Sequence, residues 1–236
     1  MNRLRSALWP PLFDGLADPL AGVRIAADAE EAGWDGCFVR DQLCRREPVR
    51  QVADPWIAPA ASATVIERIR PGPMVTALPR RRPAEVARES ATLDRLSEGR
   101  LTLAVCLGGD RFAGELSRTG EELDARRRGR MLDQSLGVLA AVWSGEPVRH
   151  RGEHCTFDDI AFVQRPGVPA WAAGMPVNAK PIRRSGARRP ARRGRRLAHR
   201  TAPGPDGLVR HRHRVAPECR PRTDTARRVL RDGPAA

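Results

Sequence analysis

Along the first three quarters of the chain, apolar positions switch repeatedly between a helical period and short unbroken runs. Between residues 18 and 33, Leu20, Val23 and Ala27 recur at helical spacing, and Gly33 stands where a left-handed stop would end the helix. Gly36, Cys37, Phe38 and Val39 then read as a buried strand. Asp54 can cap a second helix with Pro55 in its first turn, running through Ile57 and Ala63. A second buried strand is predicted over 73–78. The third helix, 83–99, has Val86, Leu93 and Leu96 as its inward face and is followed by a strand over 101–107. In the fourth, 124–143, Leu132, Leu136, Leu139 and Trp143 fall three to four apart. A hairpin turning near Arg151 and Gly152 is expected over 148–157, and one more strand over 168–173.

Strands alternating with amphipathic helices imply an α/β fold whose parallel sheet is covered by helices. A Rossmann sheet and a (β/α)8 barrel both satisfy this pattern. No GxGxxG follows any strand, and the glycine pair at a strand end is Gly108 and Gly109, on the side where parallel α/β folds bind ligands.

Charge divides the chain in two. Of 236 residues, the first 175 hold 24 basic and 24 acidic side chains, whereas the last 61 hold 18 basic and 4 acidic, so the whole net charge of +14 lies there. That segment has 8 residues of Leu, Ile, Val or Met, and Arg, Ala, Pro and Gly supply 39 of its 61 positions. Such a composition cannot bury a core. Two units are therefore expected: a domain over 1–175 and a disordered Arg/Pro-rich tail over 176–236, irregular and exposed beyond Arg184, with a short helix over 225–230 as the exception. With 41 Arg and one Lys, the coding sequence is expected to be GC-rich and the tail to be frameshifted or degenerate.

Five cysteines, odd in number and widely spaced, argue against a disulfide framework and form no CxxC pair. No apolar run approaches the ~18 to 20 residues that span a bilayer, and the first residues lack signal-peptide chemistry, so no membrane partner and a cytoplasmic location are expected. His150, His154 and Cys155 are reasonable zinc ligands by type, but on a strand 150 and 154 stand about 13 Å apart, so no metal is expected. The cluster Arg126, Arg127, Arg128 and Arg130, among Glu121, Glu122 and Asp124, reads as a solvated face. Arg80, Arg81 and Arg82 lie at a strand's carboxyl end, where an anionic ligand would arrive.

Several segments in register resemble the luciferase-like flavin-dependent oxidoreductases. They are AADAEEAGWDGCFVRDQL (26–43), ADPWIAPAASATVIERIRPGPMVTALPRRRP (53–83), ARESATLDRLSEGRLTLAVCLGGD (87–110) and WSGEPVRHRGEHCTFDD (143–159), leading to PAWAAG (169–174). The resemblance covers about residues 13–175. It implies an incomplete (β/α)8 TIM-barrel, redox chemistry with FMN or the deazaflavin coenzyme F420, a small-molecule substrate and a homodimer. It further implies that the strand carrying Met74, Val75 and Thr76 supports the flavin ring through its backbone, often with an unusual peptide bond. Cys106, Gly108 and Gly109 match the segment that lies along the ring. Asp41 and Gln42 stand where many members have an acidic residue and a histidine, which makes them candidates for the substrate pocket; Gln42 cannot transfer protons.

The rival reading is a non-catalytic basic protein that binds nucleic acid or another polyanion non-specifically through its tail. No aromatic residue follows Trp171 to stack on bases. Because a barrel of this kind needs about 250 residues, little or no turnover is expected of the chain as it stands.

Overall fold

In the computed structural model, residues 5–111, 113–162, 166–168, 170–172 and 209–213 are described. The order of elements is β1 (Arg5–Trp9), α1 (Pro19–Glu31), β2 (Gly36–Val39), α2 (Ile57–Ala63), β3 (Arg70–Pro73), β4 (Thr76–Ala77), α3 (Pro83–Leu96), β5 (Leu103–Cys106), α4 (Ala125–Val142), the hairpin β6 (Val148–Arg151) and β7 (Thr156–Ile160), β8 (Ala170–Ala172), and β9 (Val209–His213).

β1, β2 and β3 pair in parallel, as do β4, β5 and β8. β3 and β4 are one strand interrupted at Met74 and Val75, so the two ladders form a continuous parallel succession β1, β2, β3/β4, β5, β8. This is the strand order of a partial barrel. The predicted strand at 73–78 therefore begins earlier, at Arg70, and breaks in the middle. Gly72 explains one constraint there: at φ +150°, a Cβ would lie 2.1 Å from the Thr102 carbonyl oxygen, so only glycine lets β3 approach the chain entering β5.

The helices fall where expected, with changed faces. Asp18 caps α1 through the Leu20 amide, and Gly33 ends it at φ +78°. Its buried side, however, is Ala21, Gly22, Ala26 and Ala29, while Leu20 is exposed. Small residues are selected because α2 lies close: a Cβ on Gly22 would stand 4.0 Å from Ala58 Cβ. α2 begins at Ile57 rather than Asp54, whose carboxylate accepts from the Trp56 and Ile57 amides at 2.7 and 2.8 Å; Ile57 is exposed. α3 buries Val86 and Leu93 but exposes Leu96. α4, capped by Asp124, buries Leu132, Leu136 and Leu139 against Leu78, Leu101, Leu103 and Val105 of the main core.

β1 has no counterpart in the pattern of apolar runs, because its residues are only half-buried around Ala7. Its second edge is taken by β9, running antiparallel. This corrects the expectation of an irregular tail at residues 209–213. A sheet edge offers unpaired amides and carbonyls to any extended segment, whether or not that segment can bury a core. The rest of 176–236, including the helix expected at 225–230, lies outside the described residues.

The amino-end face is held by polar clasps. Glu30 accepts from the amides of Glu67, Arg68 and Ile69, and Arg100 donates to the carbonyls of Ile66 and Ile69 at 2.8 and 2.9 Å. Asp94, buried, accepts from the Gly167 amide at 3.0 Å. Burial raises the Asp94 pKa, and the Gly167 amide and the Arg70 charge offset only part of that rise. A carboxyl raised in the folded state contributes stability that is complete below its unfolded pKa of about 4 and is lost as pH climbs through the folded value. Asp94→Asn removes this dependence. Urea unfolding of the two proteins should therefore shift in favour of the asparagine variant as pH rises from 4 to 7, and a shift in favour of the aspartate would contradict the assignment.

Candidate functional site

The carboxyl ends of β2, β4 and β5 deliver three loops to one place. β2 leads to Asp41 and Gln42, β4 leads through Leu78 and Pro79 to Arg80, and β5 leads through Cys106 and Gly108 to Glu115. Arg80 joins all three. Its Nη2 donates to the Asp41 carboxylate and, at 3.1 Å, to the Asp41 carbonyl oxygen; its Nη1 donates to Glu115 Oε2 at 3.2 Å. The three side chains are 3%, 2% and 10% exposed.

One guanidinium thus serves two buried carboxylates. The Glu115 pKa is raised, chiefly by burial and further by Asp41, while Arg80 and the amides of Leu43 and Cys44 pull it back. Asp41 Oδ2 is buried and has no hydrogen-bond partner among the described residues, and neither has Thr76 Oγ1 on the fully buried Thr76. Orphaned buried oxygens are uncommon in folded proteins and point to a partner the protein does not itself supply.

Around these oxygens lie the ring-side segments expected from the resemblance. The peptide bond between Met74 and Val75 is cis. Met74 packs inward with Ala7, Phe38 and Ala104, and Val75 is half-buried beside them. Cys106 pairs in register with Ala77, and its Sγ accepts from the Gly108 amide at 3.3 Å. Burial pushes its thiol pKa up to about 11, and Asp41 and Glu115 push the same way, so it remains a neutral thiol at pH 7 and not a nucleophile. Gly108 sits at φ +69°, with a hypothetical Cβ 2.9 Å from Ala77 Cβ, whereas Gly109 has open space. Gln42 Oε1 accepts from Arg45 Nη1 at 3.3 Å.

Asp41, Thr76, Cys106 and Gly108 are therefore brought together at one end of the sheet; Gln42 stands beside them, turned toward Arg45. The idea of Arg80, Arg81 and Arg82 as an open anion cradle is corrected by the packing. Arg80 is engaged by its two carboxylates, Arg81 pairs with Glu89 and lies 5.5 Å over Trp56, and Arg82 is exposed at the start of α3. Arg128 is also misread as solvated: it is buried, donating to the carbonyls of Leu107 at 3.2 Å, Glu122 at 3.0 Å and Leu123 at 2.5 Å, and so props the exit of β5. Glu115 had no local signal at all, since its partner lies 35 residues away.

The hairpin histidines meet a glutamine. Gln134 Nε2 stands 2.8 Å from His150 Nε2 and 3.4 Å from Cys155 Sγ, and Gln134 Oε1 accepts from the His154 amide at 3.1 Å. Among the described residues no group of three His, Cys, Asp or Glu side chains could hold a metal ion. Nor, among them, is any helix long and apolar enough to cross a membrane.

Removing Arg80 would leave two buried carboxylates facing each other. Arg80→Met should lower stability by about 3–5 kcal/mol in denaturant unfolding, whereas Arg82→Gln should stay within about 0.5 kcal/mol. Equal small effects would show that the triad contributes little.

Comparison with known proteins supplies the family. The family model described as luciferase-like monooxygenase matches residues 14–184. An F420-dependent glucose-6-phosphate dehydrogenase of Beutenbergia cavernae is 35% identical over 151 residues, covering 60% of this chain and 42% of that protein. Its namesake from Amycolatopsis mediterranei is 32% identical over 172 residues, covering 70% and 50%. The chain thus spans about half the length of these relatives. Among solved structures, an F420-dependent secondary alcohol dehydrogenase in complex with an F420–acetone adduct superposes with TM-score 0.67 at 25% identity, over 76% of this chain and 54% of that one. The oxygenating constituent of 3,6-diketocamphane monooxygenase from Pseudomonas putida, in complex with FMN, superposes with TM-score 0.62 at 19% identity, over 78% and 55%, a likeness of fold alone. With nearly three quarters of its residues matched by that one family model, the chain belongs to the luciferase-like monooxygenase family.

Proposed function

We propose that the chain carries the ring-side half of an oxidoreductase site that uses F420 or FMN to oxidise or reduce a small organic molecule. The observation that carries this reading is the pair of orphaned buried oxygens, Asp41 Oδ2 and Thr76 Oγ1, at the carboxyl ends of parallel strands. They fit a polar heterocycle that has acceptors and donors along its edge. F420 is favoured over FMN because the two curated relatives and the alcohol dehydrogenase structure named above, at 25 to 35% identity, are F420-dependent by name.

In this reading the backbone of Met74, Val75 and Thr76 and that of Cys106, Gly108 and Gly109 hold the ring, with the Thr76 hydroxyl and the Asp41 carboxylate meeting its polar edge. When bound, the cofactor takes up or gives a hydride equivalent, and the protein supplies position and a dry wall. Met74, Phe38 and Ala104 form that wall from the barrel interior. Arg80 fixes Asp41 from behind, so the carboxylate keeps one oxygen for the ligand and one for the ion pair. The neutral Cys106 thiol packs at the site and leaves the electron chemistry to the cofactor. The substrate follows the relatives only as a class: a small alcohol or a phosphorylated sugar. The polyanion-binding alternative draws no support from the family match.

The test is fluorescence titration of the full chain with F420 and FMN. F420 should bind the tighter of the two, and Thr76→Val should weaken it about three- to tenfold, the cost of one lost hydrogen bond, while leaving thermal unfolding nearly unchanged. Unaltered affinity in the valine variant, or salt-dependent binding of random DNA with no binding of either cofactor, would contradict the reading.

A further inference from the structure

With Arg80 committed to Asp41 and Glu115, any negative charge on a ligand at the carboxyl-end face must be met by other cations. They stand a short way off, around a depression of about 410 Å³ lined by Arg45, Arg46, Glu47, Pro48, Val49 and Arg111. Arg45, Arg46 and Glu47 come from the loop after β2, and Arg111 from the loop after β5. These two loops also bring Asp41 and Glu115 to the triad.

We propose that this depression is an anion subsite that takes a phosphate-type group of the ligand bound at the neighbouring ring-side site; the inference rests on the functional reading above and deepens it.

Three arginines and one glutamate line it, so the lining is net cationic. Each guanidinium carries five donors in a fixed fork, so one already engaged with a protein neighbour still has donors to offer a phosphate. Pro48 and Val49 add an apolar wall, which suits the carbon skeleton that bears the anion. Among the described residues no aromatic side chain lines the depression, which disfavours a stacked nucleic-acid base.

The subsite is built rather than incidental. The loop that forms most of it is anchored at both ends, at Asp41 by Arg80 and at Arg50 and Gln51, whose amides donate to Asp14 Oδ1 at 2.8 and 3.1 Å. Between these anchors Arg45 lies 5.5 Å over the Phe13 ring and donates to Gln42. Gln42 therefore connects the depression to the ring-side site, which gives this residue the role of a polar hinge between them rather than that of an acid or base. Cations are already crowded there. Arg40 stacks 4.0 Å over Trp9 with its pKa lowered by burial and by the nearby charge of Arg45, a repulsion that a bound anion relieves.

A phosphate at this position could belong to the substrate or to the cofactor, and two pairs of probes separate the sources. The full chain is titrated calorimetrically with glucose 6-phosphate against glucose, and with FMN against riboflavin. Each pair differs by one phosphate. Wild type should prefer the phosphorylated member at least tenfold in one or both pairs, and the double variant Arg46→Gln, Arg111→Gln should reduce that preference to within about twofold. Arg130→Gln, which removes an exposed arginine paired with Glu153, serves as the charge control and should retain the preference. The arginines of 176–236 are unchanged in both variants, so general attraction to them cancels.

Loss confined to the sugar pair assigns the subsite to the substrate, and loss confined to the flavin pair assigns it to the cofactor. Identical preferences in wild type and double variant, an equal loss in Arg130→Gln, or no preference in wild type would overturn the proposal. Failure of F420 and FMN to bind, beside an intact glucose 6-phosphate preference that the double variant abolishes, would sink the cofactor reading and uphold the subsite.

Discussion

A single guanidinium, that of Arg80, sets the arrangement of the carboxyl-end face. Buried charges are tolerated only when paired and hydrogen-bonded, and here one cation is shared by two carboxylates from different loops. No loop can leave without stranding a charge in a low-dielectric interior. The three loops consequently behave as one body, and their common position brings Asp41, Thr76, Cys106 and Gly108 within one site. Burial raises the Glu115 and Cys106 pKa values, and the neighbouring carboxylates add to the rise while Arg80 offsets part of it. Burial keeps the thiol neutral, and further cations lie beyond the triad, Arg45 and Arg46 in the loop after β2 and Arg111 in the loop after β5.

The opposite face uses the same chemical vocabulary for a different end. Glu30, Asp94 and Arg100 clasp backbone amides and carbonyls, and they lie on the side of a parallel barrel associated with stability. The LSEGR segment, one of the features by which the chain resembles its family, therefore identifies the fold through structural residues: Gly99 ends α3 and Arg100 ties down the turn before β3. Family resemblance at such a motif says nothing by itself about catalysis. The chemistry lies at the other ends of the same strands.

Much of the fold was legible because each helix carried its own punctuation. Asp18 with Gly33 brackets one helix that forms as read, and Asp124 caps another. What failed was the choice of face. Leu20 and Ile57 are large yet exposed, because α1 and α2 approach through alanine and glycine and hydrophobicity alone does not report closeness of packing; Leu96, at the end of α3, is exposed as well. β1 was missed because it is only half-buried, and β9 because composition measures core burial, not the attraction of an open sheet edge. The strand 74–76 and the segment 106–109 were singled out through resemblance, and the structure places both at the carboxyl-end face. Arg80 was noticed for its charge and given the wrong task, Arg128 was placed in solvent, and Glu115 was invisible. Each acts through a partner distant in sequence, and no local pattern encodes such a pairing.

Arg80 makes the loops after β2 and β5 a single unit independent of the amino-end face, and native-state hydrogen exchange on wild type and Arg80→Met tests this most directly. The amides of Leu43 and Cys44 in one loop, and of Leu116 and Ser117 in the other, which donate to Asp110 at 2.8 and 3.0 Å, should lose protection together, while those of Arg68 and Ile69, held by Glu30, keep theirs. Loss in one loop without the other, or equal loss at both faces, would contradict the claim.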